Sequence, residues 1–178
     1  NQSDEDGEDG EMPFWPPGII SGQVFGFKLP PNRQLQPGEV EIAYVSVGYP
    51  HVYASPPYFG SPPPEIPVEQ EGGRFSFSFL QAARVTLYAT YGIWDTTTGI
   101  FHPMLMGIKR GVSIAPEEEV LDANIVLSIR LDKEVPVTIA NPPGNLVGRT
   151  EVEAFIDLGA DGIISVGKAV NSPNATQV

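Results

Sequence analysis

From Ile19 onward apolar and polar residues alternate with a period of two, and no stretch carries the period of a helix. Ile20, Gly22 and Val24 open the first such run, which is expected to stop at Pro30-Pro31. Val40, Ile42 and Tyr44 alternate with Glu39, Glu41 and Ala43, the pattern of a strand with one wet face. Phe75, Phe77 and Phe79 alternate with Arg74, Ser76 and Ser78, and this is the clearest half-buried strand in the chain. Val85, Leu87 and Ala89 follow against Thr86, Tyr88 and Thr90. Ile125, Leu127, Ile129 and Leu131 repeat the alternation later on. Less regular runs at 100–106 and 111–115 read as one strand interrupted around Gly107, with further strands at 135–140, 151–157 and 162–166.

Eight to ten short strands separated by Gly, Pro, Asn and Asp predict an all-β fold, an immunoglobulin-like or transthyretin-like sandwich. The nineteen prolines fit that expectation, because proline is excluded from helix interiors and marks edges and loops.

The organisation expected along the chain has four parts. Residues 1–18 form an acidic and then proline-aromatic tether, with Phe14 and Trp15 between prolines. Residues 19–134 form the sandwich. Residues 135–170 either add strands to it or begin a second β unit. The polar, turn-forming end at 171–178 is expected to fray. One segment breaks the strand rhythm: residues 48–67 hold seven prolines together with Tyr49, His51, Tyr53, Tyr58 and Phe59. Loops longer than about 12 to 15 residues are uncommon in compact domains and are often functional.

Charge narrows the partners. The net charge is −12, and Asp4, Glu5, Asp6, Glu8, Asp9 and Glu11 crowd the start of the chain, where like charges repel and stay solvated. With ten Lys and Arg in 178 residues, a nucleic-acid footprint is not expected. Anionic membrane surfaces should repel the chain, so membrane attachment is expected only through a lipid anchor outside it. No apolar run approaches the roughly 18 to 20 residues of a membrane span. An acidic, Gly-containing leader resembles the tether that follows the lipidated cysteine of bacterial lipoproteins. The alternative is a boundary inside a longer protein. The absence of cysteine removes disulfides, thiolate metal sites and thiol nucleophiles.

Ile20-Ser21-Gly22-Gln23-Val24 resembles the opening strand of the carboxypeptidase regulatory-like domains, which share a transthyretin-like sandwich. The later elements of that pattern match Val40 to Val47, then Gly73-Arg74-Phe75-Ser76-Phe77, then Val85-Thr86-Leu87-Tyr88-Ala89. The resemblance covers roughly 19–131. It departs from the family where the proline-tyrosine insert replaces a short turn, and where Leu80-Gln81-Ala82-Ala83 stands in place of a Pro-Gly-x-Tyr signature. The resemblance implies a structural or binding module of exported proteins, and brings no catalytic residues with it.

Candidate chemistry is sparse. His51 and His102 are far apart in sequence, which argues against a histidine-rich metal site. Asp157-Leu158-Gly159-Ala160-Asp161-Gly162 has the spacing of a calcium loop, with Asp157 and Asp161 as the ligands. Gly159 and Lys168 stand where two further oxygens belong, however, and a β-turn at Asp161-Gly162 is the other reading. No Gly-x-Ser-x-Gly nucleophile elbow accompanies either histidine or Asp95. The acids outside the tail alternate with apolar residues or, like Glu117-Glu118-Glu119, form a turn-like charge run. That leaves Tyr49, Tyr53, Tyr58, Phe59 and Trp94 as an expected aromatic binding surface, unless the rings fold back to cover a sheet edge. The functional expectation is a non-catalytic, cell-envelope or extracellular module without cofactors that binds a protein or self-assembles. The alternatives are a carbohydrate-binding module using the same rings and a hydrolase of undefined type.

Overall fold

The computed structural model describes residues 16–48, 65–79, 82–133, 150–161 and 163–171. The acidic tether, most of the proline-tyrosine insert and the carboxyl-terminal tail lie outside the described residues. The fold is all-β, with two sheets packed against each other as a sandwich. Among the described residues no helix is long and apolar enough to cross a membrane.

The first sheet is built on β1 (Gly18–Phe25). On one side β1 pairs antiparallel with β4 (Arg74–Phe79), with Ile20 opposite Phe77 and Gly22 opposite Phe75. On its other side two short parallel strands follow in turn, β7 (Glu119–Val120) and β8 (Ile125–Val126). Gly22 is required here, because a Cβ would lie 2.4 Å from the Ala123 carbonyl oxygen. The second sheet has the order β3-β2-β5-β6-β9. Its members are β2 (Glu39–Gly48), β3 (Ile66–Val68), β5 (Ala83–Asp95), β6 (Ile100–Ile114) and β9 (Ile129–Arg130).

The core lies between the sheets. Ile20, Val24, Phe75 and Phe77 of the first sheet meet Ala43, Val45, Val47, Val85, Leu87, Ala89 and Tyr91 of the second. Period-two alternation is the cause: successive core residues on each strand are two positions apart, or four in β1 where Gly22 lies between Ile20 and Val24, so one face of each strand is apolar.

Four features differ from the sequence expectation, the first being that β1 ends at Phe25 and not at Pro30-Pro31. β5 and β6 are long strands of 13 and 15 residues, and β6 runs unbroken through Gly107. A Cβ at Gly107 would lie 2.5 Å from the Val126 carbonyl oxygen, so glycine marks a close crossing there and not an interruption. The run from Ile125 to Leu131 is not one strand. Ala123 and Leu127 donate to Ser21 and Phe25 of the first sheet, and Ser128 and Leu131 donate to Met106 and Met104 of the second. The segment therefore steps from one sheet to the other. In β2 the core face is Ala43, Val45 and Val47, while Val40, Ile42 and Tyr44 lie on the opposite face.

A final hairpin of β10 (Thr150–Asp157) and β11 (Ile163–Asn171) is joined by a short 3-10 turn at Gly159–Asp161. It packs against the outer face of the second sheet, where Ile164 is buried with Tyr88 and Met106. Burying aliphatic side chains of this size is worth about 1.5–3 kcal/mol each. Polar contacts fix the position of the hairpin. The buried Thr86 hydroxyl donates to the Asp161 carbonyl at 2.6 Å, and the Arg84 guanidinium reaches the Asp161 carboxylate at 3.3 Å.

Candidate functional site

The outer face of the second sheet falls into two halves. Strand pairing sets Ser46 opposite Tyr88 and Tyr88 opposite Ile108, and this is the half near the hairpin. Towards the start of β2 the next rows are Tyr44 with Thr90 and Met106, then Ile42 with Gly92 and Pro103, then Val40 with Trp94 and Phe101. The last of these rows is only partly covered. Val40 remains 43% exposed.

Trp94, Phe101 and Tyr44 are half-buried and make an aromatic face. Tyr44 and Phe101 stand on the two strands that flank β5, and their rings meet edge to face with centroids 5.3 Å apart. The residue between them on β5 is Gly92, which has no side chain to keep the rings apart. The backbone here is also irregular. The pairing of β5 with β6 shifts between Tyr91 and Gly92, and a Cβ at Gly92 would lie 2.1 Å from the His102 carbonyl oxygen. One glycine thus permits both the bulge and the ring contact above it.

On the far side of Tyr44, β3 contributes Pro67 directly opposite it. Glu65 and Glu69 flank β3 and are exposed. Burial pushes the Tyr44 phenol above its usual range, and the charges of Glu65 and Glu69 push in the same direction. The aromatic face is therefore bordered by negative charge.

Of the residues expected to bind, Tyr49, Tyr53, Tyr58 and Phe59 lie outside the described residues. Trp94 is in the row with Val40 and Phe101. Gly48, where the insert begins, is eight residues from Val40 along β2, about 27 Å at the rise of a strand. Sequence reasoning does not single out Tyr44 or Phe101. Tyr44 carries a signal in its alternation with Val40 and Ile42, but in a strand with one wet face that alternation reads as the buried side.

Asp157 and Asp161 have protein partners. The Asp157 carboxylate accepts the Gly159 amide at 2.8 Å, and Asp161 faces Arg84. Among the described residues no three His, Asp or Glu side chains gather as metal ligands. His102 is exposed on β6 opposite Ile93, and the Asp95 carboxylate accepts from Thr97 and Thr98 in its own turn. These hydrogen bonds, led by the Thr98 hydroxyl, hold the Asp95 pKa below the usual carboxylate range.

A second polar group closes the end of the core. The phenol of the fully buried Tyr91 donates to Glu41, and its ring packs on Phe27 with centroids 4.7 Å apart. Glu71 accepts the Phe27 amide at 2.7 Å and the Gly26 amide at 3.0 Å. Burial, then the hydrogen bond to Glu41, raises the Tyr91 pKa strongly. This arrangement tethers the loop after β1 to the sandwich. Comparisons with protein-family models, with curated proteins and with solved structures find no match to this chain.

Proposed function

We propose that this chain is a non-catalytic binding or structural module of the cell envelope or extracellular space, and that it engages a protein partner through the open half of its outer face. The observation that carries the reading is the row Val40, Trp94 and Phe101 with Tyr44 closing on it. Trp and Tyr on a rigid sheet offer large contact area at little cost in rotamer entropy, which is what interface anchors require. The resemblance to carboxypeptidase regulatory-like domains and the acidic, membrane-repelling composition support an exported module.

The test is capture from an extract of the source cells by the native chain and by Trp94→Ala and Phe101→Ala variants that fold normally. A partner retained by the native chain and lost by both variants supports the reading, once purified partner reproduces the difference in titration. Equal capture by all three moves the contact elsewhere.

The same rings favour a second reading, a carbohydrate-binding module, because sugar rings stack on aromatic faces. A panel of soluble glycans that leaves Trp94 fluorescence unchanged removes it.

A further inference from the structure

We infer that the segment seated on this face is basic: a Lys- or Arg-bearing stretch of a partner protein, its aliphatic stems lying over Trp94, Phe101 and Tyr44 and its cationic heads directed to Glu65 and Glu69. The inference rests on the proposed binding face and specifies its occupant.

Four considerations converge on it. The faces of aromatic rings attract cations, and Lys and Arg stems pack well on apolar surface. Two exposed carboxylates flank β3 at the side of the platform beside Tyr44. Positions 39–48, 65–69, 90–95 and 100–106 of β2, β3, β5 and β6 contain no Lys or Arg; Arg130 of β9 stands opposite the core-side Leu105 and Arg33 is paired with Glu39, so a basic partner meets little like charge on the aromatic rows. The net charge of −12 repels an acidic partner and steers a basic one, with a dependence on ionic strength. An uncharged sugar would use the rings and leave the bordering charge without a role.

The experiment uses the full chain carrying Trp15→Phe, so that Trp94 is the sole tryptophan reporter. It is titrated with a short alternating Lys/Ala peptide, the matched Ser/Ala and Glu/Ala peptides, and a soluble neutral glucan. The expected result is a saturable Trp94 change with the Lys/Ala peptide alone, weakening as salt is added. Replacing Glu65 and Glu69 together by Gln should lower the affinity about tenfold. Replacing Glu119 by Gln and Asp122 by Asn removes the same charge beside the first sheet and should leave affinity within about twofold.

Equal losses from the two double variants would mean general attraction to an acidic chain, and would overturn the inference. Binding of the Ser/Ala peptide as tightly as the Lys/Ala peptide would overturn the basic preference while leaving the binding face in place. Binding of the glucan alone would replace the inference with the carbohydrate reading. No change in Trp94 with any probe would overturn the inference and remove support from the binding face itself.

Discussion

Tyr44 and Phe101 touch across a strand to which neither belongs, their rings meeting edge to face over Gly92 of β5. An aromatic pair of this geometry contributes about 0.5–1.5 kcal/mol beyond its buried area. The contact also stiffens the platform, because each ring limits the rotamers of the other.

Gly92→Ala is expected to damage both. The added methyl would fall 2.1 Å from the His102 carbonyl oxygen, with backbone on both sides of the conflict. A stability loss of about 3 kcal/mol is expected in urea denaturation, together with altered Trp94 emission. Gly99→Ala is the useful contrast. Nothing lies within 4 Å of its Cβ, so only the strain of its φ of +69° acts, costing about 1 kcal/mol and leaving the platform unchanged.

Thr86→Val tests how the hairpin is held. The substitution preserves shape, removes the hydroxyl that donates at 2.6 Å, and leaves the Asp161 carbonyl without that bond. The expected cost is about 1–3 kcal/mol, with faster amide hydrogen exchange in β10 and β11 than in β1 or β4. Thr86→Ser retains the donor and should retain most of the protection. If exchange in the hairpin is the same in all three proteins, the hairpin is not held by this bond.

Alkaline pH should destabilise the fold through Tyr91. Its folded pKa lies above the ordinary value of 10.0, with burial as the largest cause and the Glu41 hydrogen bond next. The folded state therefore holds the phenolic proton more tightly than the unfolded state. The associated stability is complete below pH 10.0 and is lost as pH rises beyond it. Tyr44 acts in the same direction. Tyr91→Phe should flatten most of the alkaline loss in urea midpoints measured across this range, and an unchanged slope would count against the assignment.

The acid limb has the opposite sign. Asp95 is held below 3.8 by the Thr98 hydroxyl and the Thr97 amide, so its turn is secure above that pH and loosens as pH falls through the folded pKa. An Asp95 carboxyl that titrates at or above its ordinary value by NMR would contradict this.

Much of the fold was legible in the residues. β1 and β4 expose one face to solvent, so their alternation names the buried side chains directly: Ile20 and Val24, Phe75 and Phe77. β2 misled for a physical reason. The hairpin and the aromatic face make its outer side apolar too, so Val40, Ile42 and Tyr44 read as core while Ala43, Val45 and Val47 fill it. Glu41 shares the core side because Tyr91 supplies its hydrogen bond, a pairing fifty residues away in sequence. The step of the chain between sheets at Leu127 and Ser128 left no mark on the alternation, since both sheets demand the same period. The sequence singles out Trp94, but the placing of Phe101 beside it and of Tyr44 against Phe101 depends on strand register, which alternation does not specify.

The central claim is that half of the outer face is covered by the hairpin and half is open. Hydroxyl-radical footprinting of the full chain, read by mass spectrometry, tests it most directly. Met106 is intrinsically reactive but fully buried under the hairpin, whereas Trp94 and Phe101 lie on the open half. The account predicts rapid oxidation at Trp94 and Phe101 with Met106 protected. Protection of Trp94 and Phe101 as strong as that of Met106 would mean that the chain covers its own aromatic face, and the proposed binding surface would be lost.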